Sequence, residues 1–172
     1  MKNKIIISVK IFILLLFITT NVNAQELQPV YSVNLNLYAG TWYEIASFPK
    51  RFQKNCEYTT ANYTITSKGY MLVENRCTKN KKLFYIKGKA FSKKNSGNAK
   101  LKVQFLWPFR TKYWIIDLAQ DYSYAVVSHP NKKSLWILSR TSTINEEVYQ
   151  EILSQLKEKG FDINKLKKTK QI

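Results

Sequence analysis

The chain has 172 residues, the length of one domain, and carries 28 Lys or Arg against 11 acids, for a net charge of +17. Its 45% apolar share belongs to a folded chain rather than a disordered one. One His and two Cys exclude a multi-histidine or cysteine-rich zinc centre and leave His129 as the sole base for a Ser–His–Asp hydrolase.

The first 24 residues read as an address. Lys2 and Lys4 give a positive start, Lys10 follows, residues 11–18 are all apolar, and Val22-Asn23-Ala24 offers a cut before Gln25. This is the three-part plan of a secretory signal. The apolar run falls well short of the roughly 20 residues a spanning helix needs. The competing reading is an uncleaved N-terminal anchor. A lipid anchor at the cut would need a cysteine there, and the first is Cys56. The expected product is therefore an exported, unlipidated domain of residues 25–172, in the periplasm or the medium. Removing 1–24 takes away three lysines and no acid, so a charge of +14 remains with the domain.

Export gives Cys56 and Cys77 an oxidising compartment, where pairing is expected. They flank two strand-like runs, 57–66 and 70–76, joined by the turn Ser67-Lys68-Gly69. A hairpin brings its ends within disulfide reach. Closing a loop of about 20 residues is worth about 3 kcal/mol in the chain-entropy model. Two separate thiols are the alternative.

Thr59, Ala61, Tyr63 and Ile65 alternate with polar neighbours, as do Met71, Val73 and Asn75, then Phe84, Ile86, Gly88 and Ala90, then Leu101, Val103 and Phe105. Period-two alternation marks strands with one wet face. The runs 113–118, 125–128 and 135–139 are apolar on both parities, so pattern alone does not assign their inner faces. With 40–48 the count is eight strands. A helix follows, with Thr143 and Glu146 as a capping box, Val148, Ile152 and Leu156 as a stripe to pack on the sheet, and Gly160 as the stop. An eight-stranded antiparallel meander closes into an up-and-down β-barrel, which removes its exposed edges and leaves room for one small ligand. The expected fold is all-β: that barrel with one C-terminal α-helix outside, then a basic tail over about 163–172.

Three short motifs sharpen this expectation. Gly40-Thr41-Trp42 resembles the Gly-x-Trp opening of lipocalins. Asp121-Tyr122, preceded by Gln120 where Thr is usual, resembles their second motif, and Arg140 their third. In this order they make the chain similar to the bacterial outer-membrane lipocalins and the apolipoprotein D group, apart from the missing lipoprotein cysteine. The resemblance implies binding of a fatty acid or lysophospholipid, without cofactor or metal, and an association with envelope stress. Some relatives pair, so a homodimer is compatible with the resemblance, although no stretch announces an interface.

Trp42 is expected to plug one end of the barrel under the guanidinium of Arg140, with Gly40 beside them. The cavity-facing candidates are Ala61, Tyr63, Val73, Asn75, Ile86, Val103, Phe105 and Tyr113, of which Asn75 and Tyr113 offer polar contacts. Glu44 shares parity with Trp42, Ala46 and Phe48, so its carboxylate points inward to an internal ion pair or a ligand head group. Trp107-Pro108-Phe109 sits between strands, either rimming the entrance or covering the barrel edge. His129 reads as a solvated turn residue. The basic runs 79–82 and 165–170 suit an anionic membrane surface or are simply solvated; nucleic acid is not an expected partner of an exported chain. No nucleophile–base pair is visible, so an enzyme is a minor alternative beside a carrier of haem, pigment or siderophore.

Overall fold

The computed structural model describes residues 26–171. The expected export signal, residues 1–24, lies entirely outside them. Eight strands follow in chain order: β1 Gly40–Ser47, β2 Glu57–Ile65, β3 Met71–Lys79, β4 Lys82–Ser92, β5 Lys100–Leu106, β6 Phe109–Leu118, β7 Tyr124–Ser128 and β8 Leu135–Ser139. Each pairs antiparallel with its sequence neighbour, and β1 pairs with both β2 and β8, so the sheet closes on itself. Closure leaves none of these eight as an edge strand of the sheet.

One end is plugged and the other open. A short helix, α1 (Leu35–Tyr38), precedes β1 at the plugged end, where the turns 66–70, 93–99 and 119–123 also lie. The segments 48–56, 80–81, 107–108 and 129–134 lie at the open end. Cys56 and Cys77 form a disulfide there, with 5.4 Å between Cα atoms, tying the entry of β2 to β3. This is the pairing expected of a hairpin.

The apolar runs with no readable inner face are explained by two packing layers. Val127, Ala125, Leu138 and Ile115 join the core inside the barrel, while Val126, Leu135, Ile137 and Ile116 join a second core outside it. That outer core is covered by α2 (Glu146–Glu158), which buries Tyr149, Ile152 and Leu156. A strand wetted on neither face cannot alternate in polarity.

The cap of α2 differs from the expected one. Asn145, not Thr143, accepts the backbone N–H groups of Glu147 and Val148 at 2.7 and 3.2 Å. The carbonyl of Thr143 instead accepts the hydroxyls of Ser139 and Thr141. At the other end Gly160 adopts φ +77°; its N–H donates to the Lys157 carbonyl, and that of Phe161 to the Leu156 carbonyl. This is a Schellman stop, sealed by Phe161 and Leu156 in one core.

The basic tail is not free. Lys167–Lys168 forms a ninth strand, β9, on Ala46 and Ser47 of β1. Past it, the Thr169 N–H donates to the Ile45 carbonyl, and the Gln171 side-chain amide donates to the Glu44 and Thr59 carbonyls. The tail thus bridges β1 and β2 where their pairing has stopped.

Candidate functional site

The plug is built on β1. Trp42 is fully buried, and its indole N–H donates to the Tyr38 carbonyl at 2.9 Å. Arg140, just after β8, sets its guanidinium carbon 3.7 Å from the indole centroid and donates to the carbonyls of Leu37, Thr41 and Tyr122. A guanidinium on an aromatic face, with its N–H groups taken by carbonyls, ties α1, β1, the 119–123 turn and β8 into one closure. Gly40 holds φ +94°, a conformation a side chain rarely adopts, and its absent Cβ would meet Arg140 at 3.4 Å.

Above the plug lies a cavity of about 490 Å³, open toward the 48–56 segment. Ala61, Tyr63, Val73, Asn75, Ile86, Val103, Phe105 and Tyr113 all line it. Glu44, Lys50, Phe52, Gln53, Thr59, Trp136 and Leu138 also face it; of these, Glu44 was expected inward and Thr59 shares the strand face of Ala61 and Tyr63. Trp136 and Leu138 sit on a strand whose two faces read alike in sequence. Phe52 and Gln53 belong to a short helical turn, Arg51–Gln53, folded against the mouth; only its position next to Cys56 hinted at this.

Glu44 faces inward, but Ala46 and Phe48 do not. A β-bulge between Glu44 and Ala46 places an extra residue in β1 opposite β8, so the parity inverts and Ala46 and Phe48 join the outer core. Among the described residues the buried Glu44 carboxylate has no ion pair. Ser47 and Thr169 hydroxyls donate to Oε1 at 2.8 and 2.7 Å, and the Gln53 amide donates to Oε2 at 2.9 Å. Three neutral donors from β1, the mouth segment and the tail therefore meet on one carboxylate. Nearby, Gln53 Oε1, Thr59 Oγ1 and Asn75 Oδ1 are buried without a hydrogen-bond partner among the described residues.

Three tyrosines close the cavity floor. Tyr63 donates its hydroxyl to Tyr113 at 2.7 Å, and the Tyr38 and Tyr113 hydroxyls lie 3.2 Å apart. Three protons share two hydrogen bonds. If both Tyr38 and Tyr63 donate, no buried proton is orphaned and Tyr113 turns its own toward the cavity it lines. Burial drives all three phenols above their ordinary range, and for Tyr38 and Tyr113 a neighbouring phenol adds to the rise.

Such neutral phenols stabilise the fold fully below the unfolded tyrosine value of about 10; the contribution is lost as pH rises from there through the folded values. Ultraviolet titration should therefore leave at least three of the 11 tyrosines un-ionised until alkaline unfolding. Ionisation of all of them near pH 10 in a folded chain would contradict the buried cluster.

The remaining candidates are plainly placed. Trp107-Pro108 is a tight turn between β5 and β6, and Trp107 and Phe109 are exposed at its tip rather than covering the barrel edge. His129 is half-buried, and its Nδ1 accepts the Asn131 N–H at 3.2 Å, a turn-stabilising contact.

A closed antiparallel barrel with an external helix, a Trp–Arg plug and an apolar cavity defines a binding protein for small hydrophobic ligands. The lipocalin-like domain model matches residues 33–171. The chain is 40% identical over 156 residues to temperature-induced lipocalin-1 of Arabidopsis thaliana, covering 86% of this chain and 84% of that one. It is 41% identical over 130 residues to the outer membrane lipoprotein Blc of Escherichia coli K12, covering 74% and 73%. Insecticyanin of Manduca sexta shares the fold, with a TM-score of 0.70 at 23% identity over 85% of each chain. This chain belongs to the lipocalin family.

Proposed function

We propose that the protein binds and carries one single-chain lipid, a fatty acid or a lysophospholipid, in the cell envelope. The observation that carries this reading is the cavity: about 490 Å³, walled mainly by apolar side chains and open at one end. Its size falls in the roughly 300–1,000 Å³ range of small-molecule sites. Burying about 14 methylenes yields roughly 11 kcal/mol before the costs of association. The acyl chain runs down between Val73, Val103 and Phe105 toward the tyrosine floor. Its head group stays near the mouth, where Thr59 and Gln53 hold unpaired polar atoms, with the unpaired Asn75 oxygen deeper, at mid-height.

Residues 1–24 serve as an export signal in this reading, and the product acts in the periplasm or the medium without a lipid anchor. The Cys56–Cys77 disulfide supports an oxidising destination. Organic extraction of the purified protein followed by mass spectrometry tests the proposal. An acyl lipid near one per chain is the expected cargo. A pigment, a haem or an iron chelate in its place would overturn it.

A further inference from the structure

We infer that the open end of the barrel is a docking surface for an anionic phospholipid bilayer, with the cavity mouth facing the leaflet. The four segments at this end, taken with the strand residues that flank them as 48–57, 79–86, 104–112 and 128–135, contain ten Lys or Arg against one acid, Glu57, which pairs with Lys170. Large apolar side chains stand out among these cations. Leu106, Trp107 and Phe109 are 69%, 82% and 72% exposed on one hairpin tip, and Phe52 and Phe84 are exposed on two neighbouring segments.

Each half of this pattern has a cost in water alone. Exposed aromatic and aliphatic tips gain by entering the boundary between head groups and acyl chains, where aromatic rings are favoured. Clustered cations gain next to anionic head groups, within a Debye length of about 10 Å at 0.1 M salt. An anionic leaflet satisfies both at once. A second copy of this chain does not, because its own rim carries the same sign.

The geometry also fits the orientation. Phe52 and Ile86 belong both to the cavity lining and to the exposed apolar set, so the apolar surface runs from the rim into the barrel. Docked mouth-down, the protein would offer a lipid a path from leaflet to cavity that avoids water. The docking itself is independent of the cavity's cargo; only this use of it rests on the lipid-carrier reading.

The test uses the purified protein and vesicles of phosphatidylcholine with phosphatidylglycerol. Co-sedimentation should weaken at least about tenfold between 0.05 and 0.5 M salt, and should be lost on pure phosphatidylcholine. Trp107, the exposed one of the four tryptophans, should shift its emission to the blue and be quenched by brominated lipid.

Three variants locate the surface. Arg51→Glu/Lys54→Glu/Lys82→Glu at the mouth should abolish binding. Lys68→Glu/Lys93→Glu/Lys94→Glu at the plugged end makes the same change in net charge and should keep most of it. Leu106→Ser/Phe109→Ser should weaken binding at low salt while leaving the melting temperature in place. Equal losses from both charge variants, or vesicle binding with no quenching of Trp107, would overturn the inference. Uptake of a soluble single-chain lipid without vesicles should be unchanged in every mouth variant, so docking and cargo binding fail separately.

Discussion

Trp42→Ala should destabilise the barrel by about 3–5 kcal/mol, the usual cost of emptying a buried aromatic site. In a domain of this size that lowers the melting temperature by roughly 10 °C or more. Trp42 has no exposed surface, packs against Tyr38 with tilted rings whose centroids lie 5.1 Å apart, and supports the Arg140 guanidinium at 3.7 Å. Its removal empties a site at the point where α1, β1 and the chain after β8 converge. It also leaves Arg140, already partly desolvated, without its aromatic face. Trp42→Phe keeps much of the volume and should recover over half of the loss. A denaturation midpoint unmoved in Trp42→Ala would show that the plug does not hold the barrel closed.

Ala61→Trp should abolish lipid uptake and leave the fold intact. Ala61 faces the cavity at mid-height, in register with Asn75 on β3, which in turn pairs with Ile86 on β4. An indole there enters open space rather than a filled core, so the usual overpacking cost of about 1–3 kcal/mol is largely avoided. The bound chain loses room for several methylenes, each worth about 0.8 kcal/mol. Excluding even four of them weakens binding at least about a hundredfold. Val103→Trp blocks the same space from the β5 wall and guards against a local failure at Ala61. Unchanged affinity in both variants, with the fold retained, would place the ligand somewhere other than this cavity.

The barrel was legible where one face of a strand meets water. On β2, β3, β4 and β5 the alternation points Ala61, Tyr63, Val73, Asn75, Ile86, Val103 and Phe105 at the cavity, and the structure places all of them there. It was illegible where the outer face is also dry. Val126, Leu135 and Ile137 are apolar because α2 covers them, and nothing in the local pattern separates them from Val127 and Leu138 inside.

Parity also fails across a bulge. One extra residue in β1 sends Ala46 and Phe48 to the outer core while Glu44 stays within, and no residue type announces that event. Contacts made by chain far away in sequence were hidden as well. The hydroxyl of Thr169 reaches Glu44 across 125 positions, and a lysine-rich tail gives no sign that it will add a strand. The plug was legible for the opposite reason: Gly40, Trp42 and Arg140 each do a job that few other residue types can perform.

Titration of the delipidated protein with a long-chain lysophospholipid, followed calorimetrically below its micelle concentration, tests the lipid-holding cavity most directly. Saturation at one molecule per chain, with micromolar or tighter affinity and a negative heat-capacity change, is the predicted result. Heat that never saturates, for this lipid and for a fatty acid of equal length, would show that the barrel holds no acyl chain.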